Sequence, residues 1–261
     1  MSARTTALCA LIATRRQGAW SDGILKEYVQ RDRLERRDAA LAATLTYGVM
    51  QNRMLLDHYL EQVVSGGLSR LQPAMLDILR LGAYQILLLD KIPDSAAVNE
   101  AVEQTKRYVN QKAAGMTNGA LRALSRKKGS LNEPRDLATT YSHPQALVDL
   151  LTDSVGRGQI ESFLRADNEP APTCLQINPL LSDPDEIERA LTKQEILFRK
   201  HPWLPGCYLV TGTGNLARLE LFTSGKVYVQ DASAKLAAMA AGVQPGMCVL
   251  DTCAAPGGKS F

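Results

Sequence analysis

The sequence predicts a multidomain chain with three parts in series: an all-α helical bundle, a small α/β subdomain, and the first strand and turn of an open α/β sheet. Apolar residues recur at helical spacing as far as about residue 130. From Thr173 the pattern changes to short extended runs around one helical segment, and residues 246–261 read as a buried strand entering a glycine turn. The corresponding boundaries are 1–133, 134–225 and 226–261.

Ala7, Leu8, Leu11 and Ile12 mark one face of an opening helix, and Leu41, Leu45 and Val49 mark another after the charged stretch Arg31 to Asp38. Pro73 suits a first helical turn, and Leu76, Leu79, Ala83, Ile86 and Leu87 form a stripe lasting until Asp90. Pro93-Asp94-Ser95 restarts the chain, followed by Val98, Ala101, Val102, Thr105, Tyr108 and Val109. These stripes are core packing and not chemistry. Pro134 to about Leu151 holds a linker in which Ser142-His143-Pro144 suits a helix start, and Gln159 to Ala166 continues helically.

In the second part Cys174 to Asn178, Ile196 to Arg199 and Cys207 to Thr211 read as extended, with Asp183 to Gln194 helical. The third part opens with the alternating run Val227 to Gln230. Ser233 then caps an alanine-rich helix, Ala234 to Ala241, that ends at Gly242. Met247, Val249 and Leu250 make the apolar run of a parallel strand, which puts Asp251 at the ligand-binding edge, and Lys259-Ser260 would start the next helix.

A chain of 261 residues, 45% apolar and 22% charged, has room for more than one core. No apolar run approaches the roughly 20 residues of a membrane span and no signal-peptide stretch follows Met1, so the expected location is cytoplasmic. The five cysteines include no Cys-x-x-Cys and the three histidines fall in no ligand cluster, so neither disulfides nor a metal site is expected. Charge is distributed unevenly. Residues 1–130 hold 19 Lys/Arg against 12 Asp/Glu, whereas residues 131–261 hold 11 against 15. Lys and Arg that neutralise phosphates carry nucleic-acid affinity, so the first half is the candidate RNA surface. The alternative for such charge is a solvated helix face. Two arginine-rich clusters fit a backbone-tracking role: Arg31, Arg33, Arg36 and Arg37, then Arg122, Arg126, Lys127 and Lys128.

Gly257 and Gly258 let a ligand approach the backbone at the start of a helix, where the dipole is positive. A phosphate loop of NTPases needs Gly, four residues, then Gly-Lys-Ser. Gly258-Lys259-Ser260 supplies its end, but Cys253 stands where the first Gly belongs and Pro256 removes a donor. The dinucleotide fingerprint Gly-x-Gly-x-x-Gly is absent too. The stretch Asp251-Thr252-Cys253-Ala254-Ala255-Pro256-Gly257-Gly258-Lys259-Ser260 resembles the cofactor motif of the NOL1/NOP2/Sun family of S-adenosylmethionine-dependent RNA cytosine-5 methyltransferases. Val227-Tyr228-Val229-Gln230-Asp231-Ala232-Ser233 resembles the Gln-Asp segment of that family, which leads into its Rossmann-like methyltransferase domain.

The helical part carries a resemblance of its own. Arg80-Leu81-Gly82-Ala83-Tyr84-Gln85-Ile86-Leu87, Ile92 to Val102, and Thr117-Asn118-Gly119-Ala120-Leu121-Arg122 resemble the NusB-like RNA-binding domain, which also opens the bacterial Sun-type methyltransferases of small-subunit ribosomal RNA. The order of pieces is similar along essentially the whole chain. The resemblance implies ribosomal RNA as partner, with no membrane, metal or obligate protein partner, and S-adenosylmethionine held by Cys253, Ala254, Ala255, Pro256, Gly257, Gly258 and Lys259 in a site that this chain leaves incomplete.

Cytosine C5 is a poor nucleophile, and a thiolate attack at C6 activates it. The family implies two cysteines downstream of the turn, beyond Phe261, one attacking the base and the other assisting release of the enzyme, so no catalytic residue is expected here and Cys174 and Cys253 are read as structural. The chain is therefore expected to bind RNA through its first part and to transfer no methyl group by itself. Two other readings remain open: a non-catalytic NusB-like RNA-binding module, and the phosphate-loop NTPase.

Overall fold

Helices in the first part start and stop where local chemistry directs. The structure is a computed structural model and describes residues 1–18, 21–211, 216, 219–255 and 257–260. Helix α1 (Ala3–Gln17) is capped by the Ser2 hydroxyl, which accepts from the Thr5 N–H, and ends at Gly18 with φ +59°. Helices α2 (Ser21–Arg31), α3 (Arg36–Gln51) and α4 (Arg53–Glu61) follow. Pro73 occupies the first position of α5 (Pro73–Leu88), and Asp94 and Arg107 lie at the two charge-complementary ends of α6 (Asp94–Tyr108). Helix α7 (Ala114–Lys127) completes the set around one core containing Leu8, Leu45, Leu60, Ile78, Leu79 and Leu121.

Two glycines are required by close approach. A Cβ at Gly48 in α3 would lie 2.0 Å from Cζ of Tyr84, and one at Gly82 in α5 would lie 2.5 Å from Cδ1 of Leu121. Replacing Gly48 by Ala gains helix propensity of about 1 kcal/mol but forces the Tyr84 ring out of its place. We expect a net loss of about 1–3 kcal/mol, read as a lower denaturation midpoint. An unchanged midpoint would mean that the ring moves freely.

By their contacts the residues form two compact units, Met1–Glu169 and Pro170–Phe261. The expected boundary at 133/134 therefore does not coincide with a break in packing. Helices α8 (Leu137–Tyr141), α9 (Gln145–Val155) and α10 (Ile160–Asp167) belong to the first unit, where Ala138, Val148, Ile160 and Leu164 form a cluster that also packs Met54 of α4. Polar bonds fix the join. Leu55 N–H donates to the Ser142 hydroxyl (3.0 Å), and the Tyr59 hydroxyl donates to Glu133.

The second unit holds a four-stranded antiparallel sheet in the order β2-β3-β1-β4, from β1 (Thr173–Ile177), β2 (Leu197–Lys200), β3 (Cys207–Thr211) and β4 (Val227–Val229). Helix α11 (Pro184–Lys193), capped by Asp183, packs Ile187 and Leu191 into the sheet core with Leu175, Tyr208 and Val210. A short α12 (Glu220–Thr223) precedes β4.

Four expectations about the third part are corrected here. Strand β4 does not open a new sheet: Leu175, Gln176 and Ile177 of β1 pair with Val229, Tyr228 and Val227. The cap of α13 (Ala232–Ala240) is Asp231 and not Ser233, because the Asp231 carboxylate accepts both the N–H and the hydroxyl of Ser233. Residues 247–250 adopt no strand and are exposed, as befits an apolar segment without a neighbouring strand to bond its backbone. Lys259 and Ser260 lie in a turn and start no helix. No helix of the described residues is long and apolar enough to cross a membrane.

Candidate functional site

The glycine turn is organised by Asp251. Its carboxylate accepts from the Cys253 N–H at 2.9 Å and from the Ser260 hydroxyl at 2.5 Å, closing the ten-residue stretch on itself. The Ser260 bond, then the Cys253 N–H, holds this carboxyl below the ordinary carboxylate range. Gly257 has φ +102° and its N–H donates to the Ala254 carbonyl. The Gly258 carbonyl accepts from Nε2 of Gln230 at 2.5 Å, so the turn is attached to the end of β4. Gln230 is itself 4% exposed and its Oε1 has no partner among the described residues.

Beside the turn lies an open volume of about 680 Å³, walled by Ala237 and Ala238 of α13, by Ala241 just after it, by Val249 to Thr252, and by Lys259 and Ser260. A small-residue wall facing a glycine turn suits a flat ligand with polar edges. Of the expected cofactor residues Lys259 lines this volume, while Cys253, Ala254, Ala255, Gly257 and Gly258 are not among its walls. Pro256 lies outside the described residues. Cys174 is buried against Leu204 and Cys207, and burial pushes its thiol up, a poor setting for a nucleophile.

The basic residues fall into two groups. Arg122 and Arg126, one turn apart on α7, line a groove of about 330 Å³ with Asp94, Ser95, Val98 and Asn99 of α6. The Ser125 hydroxyl donates to Asp94 at 2.6 Å and holds the two helices in register. Lys127 and Lys128 are exposed at the end of α7.

The other group is not a helix face. Arg31 ends α2, Arg33 has φ +51° in the connection, and Arg36 and Arg37 open α3. Arg31 bonds Asp32 at 2.7 Å and lies 4.0 Å over the Tyr28 ring, so its charge is partly satisfied internally. Arg36 and Arg37 oppose the helix dipole, and Glu35 makes no side-chain cap bond there. Neither arginine makes a side-chain hydrogen bond or ion pair among the described residues.

Tyr108, at the end of α6, meets α1 through Cys9. Burial and then the Cys9 thiol, 3.5 Å away, push its hydroxyl up to about 12, with the Arg107 and Arg31 charges opposing. Arg31 Nη2 lies 3.9 Å from the Met1 sulfur at the start of the chain, while Arg122 lines the groove with Asp94 at the start of α6. Arg107 is exposed, with its guanidinium 5.4 Å over the Tyr108 ring. Sequence reasoning did not single it out, and its only signal was the Arg-Tyr pair closing a helix.

Comparison with known proteins divides the chain differently from its packing, within the first unit. Residues 1–126 match the NusB family, and residues 143–216 match the ferredoxin-like domain of the RsmF/B-like methyltransferases. The chain is 33% identical over 264 residues to the probable ribosomal RNA small subunit methyltransferase B of Bacillus subtilis (strain 168), a match covering 99% of this chain and 59% of that protein. It is 32% identical over 266 residues to the protein of the same name from Synechocystis sp. (strain PCC 6803), covering 100% and 60%. The crystal structure of PH0851 superposes with a TM-score of 0.69 at 20% identity, over 98% of this chain and 59% of that one, a likeness of fold. The chain spans about three fifths of the length of the curated relatives it matches.

Proposed function

This chain belongs to the family of the ribosomal RNA small subunit methyltransferases B, with a NusB-family domain at its start, and from that premise we propose that it is the RNA-binding part of an S-adenosylmethionine-dependent ribosomal RNA cytosine-5 methyltransferase. The observation that carries this reading is colinearity. A NusB domain, a ferredoxin-like domain and the Asp251–Ser260 turn follow one another in a single chain, and relatives of that name align with it nearly end to end. Each piece alone is compatible with other functions.

In this reading the first unit supplies phosphate contacts through Arg33, Arg36, Arg37, Arg122, Arg126, Lys127 and Lys128, which are exposed and take no hydrogen-bond or ion-pair partner among the described residues, with Arg31 contributing less. The second unit would hold S-adenosylmethionine against the alanine wall at α13, with Lys259 lining the same volume and the glycine turn adjoining it in sequence. When bound, that cofactor supplies an electrophilic methyl group. Asp251 and Gln230 keep the turn in shape, the first through its own oxygens and the second by anchoring Gly258. The ribosomal substrate puts the work in the cytoplasm.

Filter binding to a small-subunit ribosomal RNA transcript and to duplex DNA of equal length tests the proposal. RNA is expected to bind more tightly, with an affinity that falls as salt rises. Equal affinity for the two would leave only a generic polycation.

A further inference from the structure

A line of bonded polar side chains runs through the second unit to the glycine turn. Gln176 of β1 is fully buried, between the core residues Leu175 and Ile177. Its Oε1 accepts from the Lys235 ammonium of α13 at 2.8 Å, and its Nε2 donates to the Cys207 sulfur at 3.1 Å and to the Gln230 carbonyl at 3.2 Å. Lys235 also donates to the Pro205 carbonyl at 2.5 Å, in the connection between β2 and β3. Gln230 follows β4. Its N–H donates to the Cys174 carbonyl of β1 at 3.2 Å, and its Nε2 reaches the Gly258 carbonyl. Bonds therefore pass from Lys235 through Gln176 and Gln230 to Gly258.

Folding alone does not require this arrangement, because apolar partners of the same shape can replace a buried hydrogen-bonded pair at little cost. Two members carry a penalty. Gln230 Oε1 is buried without a partner among the described residues, and burial pushes the Lys235 ammonium below its ordinary value. What the bonds supply is direction. An amide has one accepting and one donating end, so Gln176, with its oxygen on the ammonium, must aim Nε2 at the Gln230 carbonyl. That fixes the backbone from which the Gln230 side chain leaves for Gly258. The bonds of Asp251, Ala254, Gly257 and Ser260 close within the turn, whereas the Gln230 bond ties the turn to the sheet.

We propose that Lys235 and Gln176 are positioning residues for the cofactor turn, acting through Gln230 on Gly258. This rests on the S-adenosylmethionine reading above and adds to it that the small antiparallel sheet sets where the turn lies. Neither residue lines the volume beside α13, so each acts on a ligand there only through the turn.

The test is nuclear magnetic resonance of the whole chain isotopically labelled at glycine, with Gly257→Ala and Gly258→Ala assigning the two turn amides. Lys235→Met and Gln176→Leu are each expected to move both turn resonances toward unfolded-chain positions while Gly206 and Gly225 of the same unit keep theirs. Lys235→Arg, which keeps a charged donor, should restore them. Lys226→Met, which removes the ion pair with Glu186, is the control and should leave them in place. Titration with S-adenosylmethionine should shift the turn resonances of the unaltered chain, with an affinity roughly 5- to 50-fold weaker in Lys235→Met. Turn resonances that are the same in Lys235→Met and the unaltered chain would overturn the positioning proposal and leave the cofactor reading intact. Turn resonances that depend on Lys235 but ignore S-adenosylmethionine would overturn the cofactor reading, and with it the role of these residues toward a cofactor. If Lys235→Met fails to fold, Lys235→Gln decides by the same resonances.

Discussion

Replacing Arg80 by Ala is expected to destabilise the helical unit by about 3–5 kcal/mol at neutral pH. Arg80 bonds Asp57 of α4 through Nε and Nη2 at 2.7 and 2.6 Å, and its Nη1 lies 3.8 Å from Asp77 of its own helix. Asp77 is buried and also takes Arg15 of α1 at 2.9 Å. This network joins α1, α4 and α5. Without Arg80 the carboxylates of Asp57 and Asp77 repel, and Asp77 keeps only Arg15.

The pH dependence has a definite sign. Burial raises the Asp77 carboxyl above its ordinary value, against the pull of Arg15 and Arg80. A carboxyl raised in the fold contributes stability that is complete below its unfolded value and is lost as pH rises through the folded value. Removing Arg80 raises it further. The deficit measured by denaturant unfolding at pH 7 should therefore shrink as pH falls toward the carboxylate range. A deficit that is constant with pH would mean that Arg80 acts by packing alone.

Reversing Arg122 and Arg126 to Glu together should lower RNA affinity roughly 10- to 100-fold at low salt and flatten the dependence of log affinity on log salt by about two units. Both side chains line the groove between α6 and α7 and neither has an internal partner among the described residues, so the fold should survive the change. Arg165→Glu is the control. Arg165 is exposed but paired with Glu161 at 3.3 Å on α10, remote in sequence from both clusters, and its reversal should leave the RNA salt slope unchanged. Equal losses from both changes would make the affinity a matter of net charge rather than of the groove.

What the sequence disclosed follows its range of interaction. Stripes such as Leu76, Leu79 and Ala83 and the first-turn Pro73 are local patterns, and they became helices at the expected places. Helix α8, with five residues, is too short to show a stripe. The similar segment from Arg80 to Gln85 was legible as a resemblance, and the structure supplies its physical reasons: Arg80 in the ion network, Gly82 beneath Leu121, Tyr84 over Gly48, and Gln85 accepting from Arg4 at 2.6 Å.

Partners distant in sequence were not legible. Alternation identified the strand at Val227 but not its pairing with β1, which moved it from a new sheet into the small one. Asp251 was legible as a functional residue type, yet its oxygens serve the turn itself. The cluster around Arg31 looked uniformly free, and only the fold reveals that Asp32 and Tyr28 hold one of its members. Lys235 lies in a segment that read only as an alanine-rich helix, and its bonds to Gln176 and Pro205 are visible only in the fold.

Hydrogen exchange of the chain, free and saturated with a small-subunit ribosomal RNA fragment, tests most directly that the helical unit is an RNA surface. Slowed exchange is predicted at Asp94–Asn99, at the end of α7 from Arg122 to Lys128, and across the connection from Arg31 to Arg37. Saturating binding that leaves all three segments exchanging at their free rates would contradict it.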